Sequence, residues 1–264
     1  DSCTSSTQCI IHTVFLFLHF NFRSGMVFEK FSSRENDIVT GIIQRMENKN
    51  VYIDLGKAEA ILTPNEQIPG EIYQYHDRMK TYIVEVKKTS KGPQIMVSRT
   101  HPGLLKRLFE LEVPEIHDGL VEIKSVAREP GMRSKISVYT KDENIDPVGA
   151  CVGHKGMRVQ TIVNELRGEK IDIVKYSSEP DQYVANALSP AKVVSTEVLE
   201  EEKICRVIVP DYQLSLAIGK EGQNARLAAK LTGWKIDIKS ESQAAEEAEQ
   251  GAQEVGVAYE ADED

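Results

Sequence analysis

Cysteine is scarce in this sequence, with four residues among 264, and no two of them form a CxxC pair. Zinc sites and the disulfide frameworks of small secreted domains use closely spaced cysteines, so neither is predicted. Cys151 and Cys205 each lie in an apolar run, which is typical of small core residues. The histidines are scattered and show no metal-ligand spacing. The sequence therefore predicts no metal, no cofactor and a reducing, cytoplasmic location.

A long apolar run is also missing. The most apolar stretch, residues 10–22, is shorter than the roughly 20 residues that cross a bilayer as a helix. It has no basic residue ahead of it and no small-residue cleavage site behind it, so a signal peptide is not predicted either. We therefore predict that residues 1–24 are extraneous or non-native sequence and that the protein has no membrane partner.

The net charge of −9 is concentrated at one end of the chain. Residues 241–264 contain nine acidic residues and no Lys or Arg, whereas the remaining residues contain 32 acidic and 32 basic side chains. Segments of such composition are typically disordered and solvated, so we predict a disordered acidic tail. Because the rest of the chain is neutral, local patches would decide whether it binds a polyanion.

Residues 37–99 are predicted to form short strands separated by turns. In the run VYIDL at 51–55, apolar residues alternate with Tyr52 and an aspartate, which is the period of a half-buried strand. Five such runs in about 65 residues predict a closed OB-fold barrel, assigned to residues 25–100. Tyr52 would point away from the barrel core, either as a stacking platform for a base or as an ordinary exposed tyrosine.

A repeat of about 65 residues follows the barrel. Each copy contains a helix, a hairpin, a short apolar helix, a GxxG loop, an amphipathic helix and a closing strand. The closing strand contains KIDI in both copies, at 170–173 and at 235–238. Glycines and strands that recur at this spacing predict two copies of one domain, spanning residues 101–178 and 179–240.

The GxxG loops indicate the kind of domain. A short helix, GxxG, a second helix and a strand form the core of a KH domain, whose loop holds the backbone of about four nucleotides. Glycine suits this task because a backbone without Cβ atoms can approach a phosphate beside the positive N-terminus of the next helix. The predicted RNA-binding residues are Val152, Gly153, His154, Lys155, Gly156, Arg158, Ile218, Gly219, Lys220, Glu221, Gly222 and Arg226.

The individual residues carry different weight in this prediction. A lone GxxG is weak evidence because glycine is a common helix C-cap, but two copies in one context favour RNA binding. Lys155 and Lys220 are expected to meet phosphate, with bases lying against apolar residues such as Val152 and Ile218. Arg158 and Arg226 are either phosphate contacts or ordinary solvated residues on a helix face.

Several segments resemble the bacterial NusA family of transcription factors. They are DIVTGIIQR (37–45), NVYIDLG (50–56), LTPNEQIPGE (62–71), GACVGHKGMRVQTIVNELRGEKIDIV (149–174) and LAIGKEGQNARLAAKLTGWKIDI (216–238). The resemblance implies an α+β multidomain protein with a five-stranded S1-type OB-fold barrel followed by two bacterial-type (type II) KH domains. It also implies binding of single-stranded nascent RNA in transcription elongation, termination and antitermination, with RNA polymerase and other Nus factors as partners.

Two further interpretations bear on function. The segment before Ser24 does not resemble the family's N-terminal polymerase-binding domain, so polymerase binding is not expected of this chain alone. An enzyme is not predicted, because the GKEG turn lacks the Lys-Ser/Thr pair of a P-loop and no nucleophile–base pair is evident. The alternative that stays open is a protein-docking scaffold of the transcription or ribosome machinery with vestigial KH loops, which would have no RNA affinity. With either function the protein is expected to be a monomer.

Overall fold

The computed structural model describes residues 25–89, 92–247 and 249. The chain divides into two compact units, of which the first comprises Asp1–Phe109 with Asn164–Arg167 and the second comprises the rest. The predicted extraneous segment, residues 1–24, lies outside the described residues. Within the described residues, no helix has the length and apolar character needed to cross a membrane.

A closed five-stranded barrel forms the body of the first unit, as the sequence predicts. Helix α1 (residues 25–32) precedes strands β1 (Ile38–Glu47), β2 (Asn50–Asp54), β3 (Glu59–Leu62), β4 (Arg78–Thr89) and β5 (Gly92–Ser98), which close in the order β1-β2-β3-β5-β4. Val51 and Ile53 are buried in the barrel core, whereas Tyr52 between them is half-buried. The alternation in β2 therefore has the predicted cause, one strand face in the core and the other toward solvent.

Helix α2 (Pro102–Glu112) leads from the barrel into the first KH domain. The domain continues with α3 (Pro114–His117), β6 (Val121–Glu129), β7 (Arg133–Thr140), α4 (Pro147–Val152), α5 (Met157–Glu165) and β8 (Lys170–Lys175). Strand β7 pairs antiparallel with β6 and parallel with β8. Asp146 begins α4, because its carboxylate accepts a hydrogen bond from the Val148 amide and Pro147 occupies the first turn.

The second KH domain repeats this connectivity. It contains α6 (Pro180–Ala187), β9 (Ser195–Leu199), β10 (Ile204–Val209), α7 (Leu214–Ile218), α8 (Gln223–Thr232) and β11 (Lys235–Ser240). Its central strand β10 pairs antiparallel with β9 and parallel with β11. The predicted repeat and its fold class are therefore confirmed, with each GxxG loop between a short and a longer helix.

The two KH domains share one hydrophobic cluster. Ala127 and Val174 of the first domain belong to the same buried cluster as Val184, Leu227 and Ala228 of the second. Lys135 of β7 also donates a hydrogen bond from Nζ to the carbonyl oxygen of Ser189, at 2.8 Å. The second KH domain and most of the first consequently belong to the same compact unit.

The beginning of the predicted acidic tail is ordered. Residues 241–247 are helical, so the prediction of disorder from residue 241 is wrong for this part of the tail. The Ser242 hydroxyl donates to the Asp211 carboxylate at 2.8 Å, and Glu247 forms an ion pair with Lys239 of β11. Composition alone did not reveal these partners, which are supplied by residues that precede the tail. The remaining tail residues, except 249, lie outside the described residues.

Candidate functional site

The first glycine of each GxxG loop has a backbone conformation that other residues rarely adopt. Gly153 has φ 74° and ψ 175°, and Gly219 has φ 79° and ψ 171°. This region of backbone space is essentially restricted to glycine. A Cβ atom on Gly219 would also lie 2.8 Å from the backbone nitrogen of Asn224, and one on Gly153 would lie 2.6 Å from Cγ of Arg158. The conformation of the loop thus requires glycine here, whatever the loop binds.

The second glycine of each loop faces open space. Gly156 and Gly222 have φ values of 76° and 73°. A Cβ atom on Gly156 would meet no other atom within 4 Å, and one on Gly222 would meet only a guanidinium nitrogen of Arg226 at 4.0 Å. No side chain caps the N-terminus of α8, for which Gly222 is the N-cap residue. Uncapped amide groups at a helix N-terminus are a site at which an anion such as phosphate can bind.

Replacing Gly219 with alanine is expected to lower the free energy of unfolding by about 2–4 kcal/mol. Alanine is strained in this backbone conformation, and its Cβ atom would also clash with the backbone of Asn224. Gly222→Ala is the matched control, because its left-handed position opens to solvent, and it should cost about 1 kcal/mol. Urea denaturation followed by circular dichroism measures both losses. Equal losses in the two variants would contradict the special requirement inferred for Gly219.

The two loops differ in which residue occupies the position before the second glycine. Lys155 and Glu221 both lie there, with left-handed φ values of 51° and 54°. His154 accordingly corresponds to Lys220, and all four side chains are exposed. Lys155 and Lys220, the two predicted phosphate contacts, are therefore not in equivalent positions. The difference is evident when positions are counted from the first glycine of each loop, but not when the two lysines are matched because they are the same residue type.

Arg158 is held by hydrogen bonds within its own domain. Its Nη1 donates to the carbonyl oxygen of Ala150 at 2.6 Å and to the carboxylate of Glu115 at 2.9 Å. Asn224 is at the equivalent position of the second domain, where its Nδ2 donates to the carbonyl oxygen of Ala217 at 2.9 Å. Each side chain thus ties the helix after its loop to the helix before it. Neither sequence interpretation of Arg158, phosphate contact or solvated residue, included this role.

Arg226 links the second loop to the first KH domain. Its Nε donates to the carboxylate of Glu129 at 2.6 Å, and its Nη1 donates to the carbonyl oxygen of Glu221 at 3.1 Å. The Gln223 side chain donates to the other oxygen of Glu129 at 2.9 Å. The hydrogen bond from Arg226 lowers the pKa of Glu129. Glu129, at the end of β6, is a positioning residue that the sequence analysis missed, because nothing near it in sequence indicates its partners.

The apolar residues before the loops are partly accessible. Ile218 is 37% exposed, whereas its neighbour Ala217 is fully buried. Val152, the last residue of α4, is half-buried, as are Ile173 and Ile238 of the closing strands. Each domain therefore has partly accessible apolar side chains at the end of the helix before its loop and on its closing strand.

Tyr52 lies in a separate groove on the barrel. The groove has a volume of about 1020 Å³ and is also lined by Lys30, Lys57 and Ile61. The guanidinium carbon of Arg45 lies 3.8 Å from the centre of the Tyr52 ring, and Arg45 also pairs with Glu59 at 2.9 Å. One face of the ring is thus covered by a cation of the barrel itself, so a base stacking on Tyr52 would use the other face or displace Arg45.

No arrangement for a metal ion appears in the part of the chain that the structure describes, where no group of three or more His, Cys, Asp or Glu side chains is suitably placed. Cys151 and Cys205 are buried free cysteines. Burial raises the pKa of the Cys151 thiol to about 12, so this thiol is an inert core group.

Family models match each of the three domains. Residues 32–98 match the S1 RNA binding domain, residues 99–176 the NusA-like first KH domain and residues 180–246 the NusA-like second KH domain. Together these matches cover nearly all of the described residues.

Several curated relatives share much of this sequence. The transcription termination/antitermination protein NusA of Halalkalibacterium halodurans is 70% identical over 222 residues, which are 84% of this chain and 58% of the relative. The NusA proteins of Bacillus subtilis and Thermus thermophilus are 70% and 49% identical over 84% and 80% of this chain, and over 60% and 54% of their own lengths. The chain thus spans somewhat more than half of these relatives. It belongs to the NusA family, of which it contains the S1 domain and both KH domains.

Proposed function

We propose that this chain is the RNA-binding module of a NusA protein and regulates transcription elongation, termination and antitermination by holding nascent single-stranded RNA. The observation that carries the proposal is the recurrence of one loop backbone in two tandem domains, each with an uncovered glycine at the start of a helix. The module acts by binding, without catalysis. RNA polymerase and other Nus factors are proposed partners of the whole protein, and the module is proposed to be a cytoplasmic monomer.

Each KH loop is proposed to hold one short stretch of RNA backbone. Phosphates would accept hydrogen bonds from loop amides at the N-termini of α5 and α8, where the helix dipole also favours an anion. Lys155 and Lys220 would add a cation at each loop, and the released counterions would make affinity depend on salt. Bases would lie against Val152 and Ile218, which would supply whatever sequence preference exists.

One continuous strand is proposed to run across both domains, which we assign to residues 101–178 and 179–240. The shared core and the hydrogen bonds from Arg226 and Gln223 to Glu129 support this proposal, because they join the second loop to the first domain. With about four nucleotides for each domain, the strand would contain roughly eight nucleotides. The barrel would bind RNA more weakly through Tyr52, whose ring already contacts Arg45.

A length series of single-stranded RNA tests this function. A strand of about ten nucleotides should bind at least tenfold more tightly than one of about five, because the second domain then binds intramolecularly. Fluorescence anisotropy at fixed salt, with equal total nucleotide in both titrations, measures the two affinities. Equal affinities would contradict the continuous strand. Absence of binding at both lengths would favour the protein-docking scaffold over the proposed function.

A further inference from the structure

The two loops carry opposite charges at one shared position. Lys155 and Glu221 have nearly the same backbone dihedral angles, and both side chains are exposed. In the part of the chain that the structure describes, no residue forms a side-chain ion pair with Glu221. This carboxylate is therefore an exposed charge of the second loop without an ion-pair partner among the described residues.

Two cations, Lys220 and Arg226, lie close to Glu221, and Arg226 interacts with it electrostatically without forming an ion pair. Arg226 is the closest cation of α8 to the loop, but its Nε is already paired with Glu129 at 2.6 Å. Lys220 then offsets Glu221 within the loop itself, so the second loop has no net charge. The first loop has a net positive charge from Lys155, because Arg158 beside it is paired with Glu115 at 2.9 Å.

We propose that Glu221 makes the second KH loop the weaker of two unequal phosphate clamps. This inference rests on the proposed function and identifies the residue that makes the two loops differ in their affinity for phosphate. The first loop would supply most of the salt-dependent affinity for the RNA backbone, because Lys155 attracts phosphate at the position where Glu221 repels it. The second domain would depend more on bases contacting Ile218 and Ile238, and would release and rebind its part of the strand while the first domain holds on.

Reversal of the charge at residue 221 tests the proposal. Glu221→Lys should tighten binding of a ten-nucleotide single-stranded RNA about three- to tenfold near 50 mM salt and steepen the logarithmic salt dependence by about 0.7. Glu221→Gln should give a smaller gain. Glu202→Lys, on the exposed turn between β9 and β10, makes the same change in net charge away from the loop and should change affinity by less than about twofold.

The charge-swapped variant Lys155→Glu/Glu221→Lys completes the test at constant net charge. It should move the salt-sensitive contact to the second loop, so that Lys220→Gln weakens binding more in this background than in the natural sequence. If Lys155→Glu weakens binding but Glu221→Lys leaves it unchanged, the proposed difference in phosphate affinity between the two loops is wrong, and the proposed function stands. If neither variant changes the affinity, or the natural chain binds no RNA, the proposed function fails as well.

Discussion

Replacement of both Lys155 and Lys220 by aspartate is expected to weaken binding of single-stranded RNA about 100-fold or more. Each substitution removes a cation and places an anion beside the N-terminus of a helix, where phosphate is proposed to bind. Aspartate tolerates the left-handed backbone of residue 155, so the loop should keep its conformation. Anisotropy titrations at one salt concentration measure the loss, and circular dichroism confirms that the fold is retained.

The control for this variant is Lys170→Asp/Lys235→Asp. These two lysines begin the closing strands β8 and β11, at the other end of the helix that follows each loop, and both are exposed. The net charge changes equally, so a general repulsion of RNA would weaken binding equally in both double variants. A loss of less than about threefold in the control is expected, because exposed charges more than a Debye length away are largely screened. Equal losses would contradict a local role of the loops.

Arg128→Ala is expected to lower the free energy of unfolding by about 3–5 kcal/mol, because it leaves a buried carboxylate without its counterion. The side chains of Arg128 and Glu169 are 2% and 0% exposed, and two hydrogen bonds of 2.8 and 2.9 Å join them. Glu169 also accepts hydrogen bonds from the Ser134 hydroxyl and the Gly131 amide. Chemical denaturation of the natural chain and the variant measures the difference.

The pH dependence of this loss gives a second readout. Burial by itself would raise the pKa of Glu169, but the hydrogen bonds from Arg128, Ser134 and Gly131 outweigh burial and lower it. Stability from a carboxyl with a lowered pKa is present above the unfolded value and is lost as the pH falls through the folded value. Without Arg128, the buried carboxyl is expected to protonate at a higher pH instead. The difference between the two proteins should therefore begin to shrink above about pH 4.5, as the pH falls through the raised pKa of the variant, and should shrink further below it as the natural chain loses the stability from its lowered pKa.

The double variant Arg128→Ala/Glu169→Gln separates charge from packing. Removal of the unpaired charge should recover part of the stability that Arg128→Ala loses, since a neutral amide is less costly to bury than a carboxylate. A loss below about 1 kcal/mol for Arg128→Ala would mean that the pair behaves like a surface ion pair. No recovery in the double variant would attribute the loss to the cavity left by the side chain.

The elements that the sequence predicted correctly are those with local or repeated patterns. Strand β2 alternates buried Val51 and Ile53 with half-buried Tyr52, so one window of sequence was sufficient to recognise it. The two KH domains were recognised because glycines and closing strands recur with the same spacing. Such patterns predict a single helix or strand, or a repeated set of elements, but they do not predict contacts between elements.

The unpredicted features depend on residues that are far apart in sequence. Glu129 pairs with Arg226, and Glu169 pairs with Arg128, across the fold. Opposite charges in a sequence do not reveal which of them meet, because burial and strand register decide it. The helical start of the tail was missed for the same reason, since Asp211, which accepts hydrogen bonds from Ser242, lies 31 residues away.

The most direct test of the central claim, that both GxxG loops contact RNA, is nuclear magnetic resonance of the ¹⁵N-labelled chain titrated with a single-stranded RNA of about ten nucleotides. The amide signals of Gly153, Gly156, Gly219 and Gly222 should shift on binding. Those of Gly168 and Gly233, at the other end of the helices that follow the loops, should stay in place. Shifts confined to the barrel around Tyr52, or no shifts at all, would contradict the account.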